Sequence, residues 1–428
     1  MKHLHHSGRR QFLKNATVST LGAIGASFLP LETLSAINQA DKMKITKIEG
    51  IHFKKDIRIG GGSGGADGAE FFWVRLHTDA GIVGIGETYP FSNGELGALK
   101  DYARLLIGKD PRDIDGIWKR FYHDMAMRNA GGADMRILSA INMAQMDILG
   151  KSTNQPLYRL LGGKTREKVK VYNTVTDYWA INNMKMGTQT AQIVKFLMDK
   201  GINGMKIYPF DSSGGPYITR ADIEKGLDWI REIRDVAGNQ MDICVDCWGR
   251  FDLPSAKRIA KGLEPFDILY MEDVMLMNNA KAYAALAQET SVPICHSETL
   301  ATRYEYREFL ESGACDVIMY DLSWCGGITE AKKISDMADA YLIPTSPHTA
   351  GGPLLWLASI HLTTSLSNFM IMESNYWKYT HQYPYFLNNV PVPQNGFVSA
   401  PEAPGLGAEI RPELYSSGDA IVEVIAEL

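Results

Sequence analysis

The chain has 428 residues, 45% hydrophobic and 22% charged, enough to bury a large core across two domains. A net charge of −5 gives no ground for a nucleic-acid partner, while leaving an anionic small molecule open. The five cysteines (Cys244, Cys247, Cys295, Cys315 and Cys325) lack framework spacing, so they read as buried small hydrophobes rather than a disulfide scaffold.

The N-terminus carries a targeting pattern. Gly8-Arg9-Arg10-Gln11-Phe12-Leu13-Lys14 matches twin-arginine export signals, and a stretch rich in Ala, Gly, Ser and Thr follows over 16–34. Leu34-Ser35-Ala36 offers a small-residue cleavage site. The stretch is too short and polar for a membrane span. Residues 1–42 are therefore expected to be signal and linker, with the mature protein periplasmic or otherwise extracytoplasmic and without a stable span. This route exports proteins already folded.

Residues 43–165 read as an α+β module. Strands are predicted over 45–53, 72–78 and 82–87, the last two around the turn Asp79-Ala80-Gly81. Residues 58–68 form a glycine-rich loop. Helices are predicted over 94–106, 111–128 and 135–151. In the third, Ile137, Leu138, Ile141, Ala144, Ile148 and Leu149 mark one buried face. Gly162-Gly163 closes the module.

From Val169 strands and helices alternate in the rhythm of a parallel barrel. Strands are predicted over 169–174, 204–208, 242–246, 268–272, 294–298, 316–320, 342–345 and 369–373. Helices fall over 188–199, 220–236, 254–263, 279–289, 303–312, 327–339 and 353–366. The fold class is thus α/β, a TIM-like barrel over 166–373. The segment 374–428, with Pro391, Pro393, Pro401 and Pro404, reads as irregular chain returning to the first module.

Three carboxylates stand at strand ends at equal spacing. Asp246 closes Ile-Cys-Val-Asp, Glu272 closes a second apolar run, and Glu298 follows a third, twenty-six residues apart each time. Strand ends of a parallel barrel converge on one mouth. Three acids gathered there repel unless a cation holds them, and hard oxygen donors suit Mg²⁺. His348, past the seventh strand, and Asp321, ending the sixth, form a candidate general-base dyad, because a carboxylate orients an imidazole and raises its basicity. Glu373 closes the eighth strand as a partner for His348 or substrate. Lys206 and Tyr208 alternate around Ile207, so both can face the mouth: Lys206 to neutralise an anion, Tyr208 to exchange a proton opposite His348. Trp248 and Arg250 follow the first acid as a rim and a carboxylate-binding fork. Tyr89, beginning the loop 89–93, joins them as a substrate-binding candidate.

These residues resemble the enolase superfamily in its mandelate racemase and muconate lactonizing enzyme branch. The run 140–151 (Ala-Ile-Asn-Met-Ala-Gln-Met-Asp-Ile-Leu-Gly-Lys) and Leu160-Leu161-Gly162-Gly163 also carry the resemblance. It implies a modified (β/α)₇β barrel with an N-terminal α+β cap. It further implies Mg²⁺ ligands at Asp246, Glu272 and Glu298, and a dyad at Asp321 and His348. The chemistry it implies is removal of a proton α to a carboxylate through an enediolate. Homo-oligomers, often dimers or octamers, are also implied.

Two positions depart from relatives. Tyr208 stands where racemases of the branch carry a second base lysine, and Trp248 where some sugar-acid dehydratases carry a histidine. The expected function is a Mg²⁺-dependent aldonate or aldarate dehydratase giving a 2-keto-3-deoxy acid, with His348 able to serve as both base and leaving-group acid. A cycloisomerase or racemase/epimerase is the alternative, and a non-catalytic sugar-acid binding protein the reading outside enzymology.

Overall fold

A computed structural model describes residues 42–54, 57, 59, 71–89, 94–127, 131–176, 181–211 and 214–428. The predicted export signal and most of the loops 58–68 and 89–93 lie outside them. No helix among the described residues is long and apolar enough to cross a membrane.

The first module is an antiparallel sheet of β1 (Ile45–Phe53), β2 (Phe72–Thr78) and β3 (Val83–Thr88), followed by helices α1 (Gly94–Leu106), α2 (Ile114–Ala126) and α3 (Gly132–Ser152). Two glycines set the approach of β3 to α3. A Cβ on Gly86 would lie 1.9 Å from the Ala140 carbonyl oxygen, and one on Gly84 2.2 Å from that of Ala144. Only bare backbone permits this contact.

The predicted single buried face of α3 is an underestimate. The helix is buried on nearly every side, from Met135 to Gly150, because it is wedged between the cap sheet and the barrel. Its polar residues serve that second contact. Asn142 exchanges hydrogen bonds with Thr329, and Ser139 Oγ accepts from the Gly326 amide.

The barrel strands are β4 (Val169–Thr174), β5 (Gly204–Ile207), β6 (Asp242–Asp246), β7 (Tyr270–Glu272), β8 (Ile294–His296), β9 (Val317–Ile318) and β10 (Met372–Ser374). From β4 to β9 each pairs in parallel with the next, and β10 pairs in parallel with β4. The seventh predicted strand is reduced to single bridges: Thr345 joins Ile318 to Phe369, and His348 joins Asp321. Those bridges complete the ring. Between the strands run α4 (Thr190–Asp199), α5 (Arg220–Ala237), α6 (Leu253–Leu263), α7 (Ala280–Ala287), α8 (Thr302–Glu311), α9 (Ile328–Ala340) and α10 (Pro353–Ser365). Thr219, Asp252 and Asn279 start α5, α6 and α7 by accepting the amide three residues on.

The C-terminal segment is more regular than expected. A two-residue strand β11 (Phe397–Val398) pairs with β4, and β12 (Ala420–Glu427) pairs antiparallel with β1 along its length, forming the cap's fourth strand. The run Ile421-Val422-Glu423-Val424-Ile425 carries the β-branched composition that signals a strand, masked by the prolines upstream.

Candidate active site

Side-chain alternation decides what reaches the mouth. Tyr172, Cys244, Tyr270, Cys295, Val317, Met319 and Ile371 pack together inside the ring. Two residues along the same faces stand Asp246, Glu272, Asp321 and Glu373, so the apolar plug becomes a charged layer at the C-terminal ends. Asp246 and Glu272 are in register on adjacent strands. Glu298 lies two residues beyond β8, in a turn.

At the centre of this layer the Lys206 ammonium lies 2.8 Å from Glu272 Oε1, 3.2 Å from Asp246 Oδ2 and 3.3 Å from Glu373 Oε1. Burial works against its charge, but Glu272 first and then Glu373 outweigh that and hold it well above the usual lysine range. Burial likewise raises Glu272 well above, and Asp246 above, the ordinary carboxylate range. Glu373 goes the other way: Lys206 and His348 overcome burial and hold it at about 2. Its carboxylate also accepts from the Thr174 hydroxyl and, at 2.8 Å, from the Thr349 amide.

The dyad is formed. His348 Nδ1 is 2.7 Å from Asp321 Oδ2, and Asp321 Oδ1 accepts the Ser323 amide at 2.6 Å. The other ring nitrogen, Nε2, points into the carboxylate layer, 2.8 Å from Glu298 Oε2 and 3.5 Å from Glu373 Oε2. Burial opposes the imidazolium, but Glu298 and Glu373 raise its pKa well above the usual value. The same contact lowers Glu298, against its burial.

No three His, Cys, Asp or Glu side chains among the described residues stand as a ready-made metal cage. Lys206 lies between the acids of β6 and β7, and Glu298 is paired with His348. The donor set nevertheless suits a hard cation. Glu272 Oε2 is buried without a hydrogen-bond partner, Asp246 Oδ2 has only its ion-pair contact with Lys206, and a buried oxygen that has lost water without gaining a donor is expensive unless ligated.

The remaining candidates separate. Tyr208 places its ring 5.9 Å from the Lys206 ammonium and edge-on to Trp248, with centroids 5.3 Å apart. Trp248 is 51% exposed at the rim and holds a left-handed backbone, φ 52°, while its amide caps Asp246 Oδ1. Arg250 places its guanidinium 5.5 Å from the Trp248 ring, donates to the Asp211 carbonyl at 2.7 Å and lies 3.4 Å from Asp211 Oδ1. Tyr89 reaches the site through Trp324, at 6.2 Å, and Trp324 lies 5.3 Å from the His348 ring.

Three residues here escaped the sequence reading. Trp324 was hidden because it is one of eight tryptophans with no motif around it. Asp273, buried beside Glu272 with an unpaired Oδ1, was signalled only by its adjacency. Thr174, at the end of β4, carried no signal beyond its place at a strand end.

Comparison with known proteins places this geometry. Residues 189–414 match the profile of the enolase C-terminal domain-like family, and residues 61–162 that of the mandelate racemase / muconate lactonizing enzyme N-terminal domain. A D-galactonate dehydratase from Ralstonia nicotianae is 31% identical over 352 residues, covering 79% of this chain and 88% of that protein. A crystal structure of an enolase of the mandelate racemase subgroup from Agrobacterium tumefaciens is 33% identical. It superposes with a TM-score of 0.77, covering 90% of this chain and all of that one. A member of the enolase superfamily from Salmonella Typhimurium is 28% identical, with a TM-score of 0.82 over 89% of this chain and all of that one.

Proposed function

We propose, from the premise that this chain belongs to the mandelate racemase and muconate lactonizing enzyme branch of the enolase superfamily, that it is a lyase removing water from an aldonate or aldarate. The observation that carries the reading is the dyad: His348, oriented by Asp321 at 2.7 Å, aims its other nitrogen into the carboxylate layer at the barrel mouth. The named activity of the Ralstonia relative supports the dehydratase class.

Asp246, Glu272 and Glu298 would hold a divalent cation, Mg²⁺, which supplies Lewis-acid charge to the substrate carboxylate. The chain's own residues do the rest. A proton α to a carboxylate is a weak acid because the resulting dianion is high in energy. The Lys206 ammonium offsets that charge from a buried position where it is worth more than in water. His348 Nε2 accepts the α-proton while Asp321 holds the Nδ1–H and stabilises the imidazolium. Glu298, 2.8 Å from Nε2, would be one of the residues holding the cation, and in that role it would leave Nε2 open to the α-proton. His348 then returns its proton to the β-hydroxyl. The C–H bond breaks, its electron pair becomes the C=C bond, the C–O bond breaks and water leaves. The enol product tautomerises to a 2-keto-3-deoxy acid.

A one-base, syn elimination suits the site better than two-base inversion. Across from His348, Lys206 is committed to three carboxylates, and burial drives the Tyr208 phenol well above its usual range. Neither is poised to accept a proton.

The test is a screen of sugar acids, D-galactonate first, for 2-keto product and for α-proton exchange in D₂O. His348→Asn should lower both by ~10²-fold or more, the scale of a lost general base. Tyr208→Phe should keep partial dehydration, whereas a two-base epimerase would lose product and keep exchange. Exchange persisting at the wild-type rate in His348→Asn would reject the assignment.

A further inference from the structure

Both members of the dyad are held by the last two residues of a single cap strand. Glu87 and Thr88 end β3, outside the barrel. The Thr88 hydroxyl donates to the Ser323 carbonyl at 3.0 Å, and the amide of that same Ser323 is the donor that fixes Asp321 Oδ1. Glu87 is buried and reaches the other half. Its Oε1 accepts the amides of Gly352 at 2.7 Å and Leu355 at 3.2 Å, and its Oε2 accepts Leu354 at 3.1 Å. These are the first amides of α10, four to seven residues after His348. The indole of Trp73 on β2 donates to Oε2 at 2.9 Å and locks the carboxylate's orientation.

The short link between His348 and α10 is also gripped by the C-terminal segment. The Lys378 ammonium donates to the carbonyls of Ala350 and Gly351, and the Tyr383 hydroxyl to that of Gly351 at 3.2 Å. A cation thus takes the carbonyls of this link and an anion takes its amides. Gly352 has no room for a side chain: a Cβ there would lie 2.5 Å from Glu87 Oε2 and 2.6 Å from the Phe71 ring, while one on Gly351 would press on the Leu355 side chain at 2.7 Å.

We infer that Glu87 and Thr88 are positioning residues through which the cap sets the geometry of the Asp321–His348 pair. This rests on the reading of that pair as the proton-transferring dyad. The seventh barrel strand explains the need. It is reduced to isolated bridges at Thr345 and His348, so the sheet ladder that fixes catalytic side chains on β6 and β7 is thin here. External hydrogen bonds take its place. All four partners of Glu87 are N–H donors, so the carboxylate has the right chemistry on both oxygens.

Two variants test this in the full chain. Glu87→Gln keeps the shape but turns one oxygen into a donor facing N–H groups. Thr88→Val keeps the shape and removes the hydroxyl. Hydrogen exchange read by mass spectrometry needs no substrate. Glu87→Gln should lose protection over the amides of 348–356, Thr88→Val over 321–325, with β6 to β8 unchanged in both. With D-galactonate as probe, kcat should fall by about 10- to 100-fold in Glu87→Gln, the scale of a misplaced catalytic group, with KM within about twofold. Glu87→Asp should recover part of the loss.

Protection changes confined to β3, or kcat at the wild-type level in both variants, would overturn the inference. A proportional loss of kcat and folded protein would do the same. Activity retained in His348→Asn would instead overturn the dyad reading. Failure of the wild type to turn over D-galactonate would reject that substrate alone and leave the exchange measurement to decide.

Discussion

Lys206→Met is the sharpest perturbation of the charged layer. The substitution keeps a long apolar stem and removes a buried ammonium that touches three carboxylates at 2.8 to 3.3 Å. At an effective dielectric of about 20, each contact is worth roughly 5–6 kcal/mol gross. Much of this is offset by the desolvation of the ammonium, leaving a net loss of about 3–5 kcal/mol when one partner of such a group is removed. Unfolding entropy of roughly 2 cal/mol/K per residue gives about 0.8 kcal/mol/K for the unit Met43–Leu428. The expected fall in Tm is therefore about 4–6 °C in chelator-treated protein, read by differential scanning calorimetry. The sign of the pH dependence follows from Glu272, whose pKa burial raises well above normal. On the acid side of its folded pKa it carries a proton and the layer loses a negative charge, so the variant suffers least there and most once Glu272 ionises. Mg²⁺ should restore more stability to the variant than to the wild type, because no ammonium competes for the acids. A Tm within about 1 °C of wild type, or an equal loss across the pH range, would refute the reasoning.

Glu272→Gln should abolish turnover and Mg²⁺ binding by calorimetry yet leave the far-UV spectrum intact, since a neutral group is tolerated where burial already favours the protonated acid; full activity in metal-stripped protein would remove the cation from the mechanism. Gly86→Ala should cost about 3 kcal/mol or more in denaturant titration, because its Cβ meets the Ala140 carbonyl at 1.9 Å and neither backbone can yield; a wild-type midpoint would mean β3 can shift off α3. Changing Arg9 and Arg10 together to Lys should retain the precursor in the cytoplasm if they form a twin-arginine signal, as cell fractionation would show; unchanged export would make the N-terminus an ordinary tail.

The charged layer was legible in the sequence because a parallel barrel has a period and a direction. Asp246, Glu272 and Asp321 close apolar runs, and a strand's side-chain alternation sends each to the same end as its inward neighbours two residues earlier. The helices between them were legible through the alternation of strand and helix patterns, while the caps that start three of them, Thr219, Asp252 and Asn279, were seen in the structure. Three things depended on contacts between distant segments. The burial of α3 on all sides comes from being sandwiched, and its own periodicity shows only the apolar part of that. The strand β12 is fixed by pairing with β1, nearly the whole chain away, while the prolines upstream of it argue for irregular structure. The roles of the charged groups were likewise decided in space. Arg250 was a carboxylate fork by position, and packing supplies its protein partner, Asp211, through both the carbonyl and the carboxylate. Glu87, some two hundred and sixty residues before the amides it holds, had no local mark. Sequence spacing encodes which side chains share a face of one element; which face meets which, and therefore where an ion pair or a hydrogen bond forms, is set only when the elements pack.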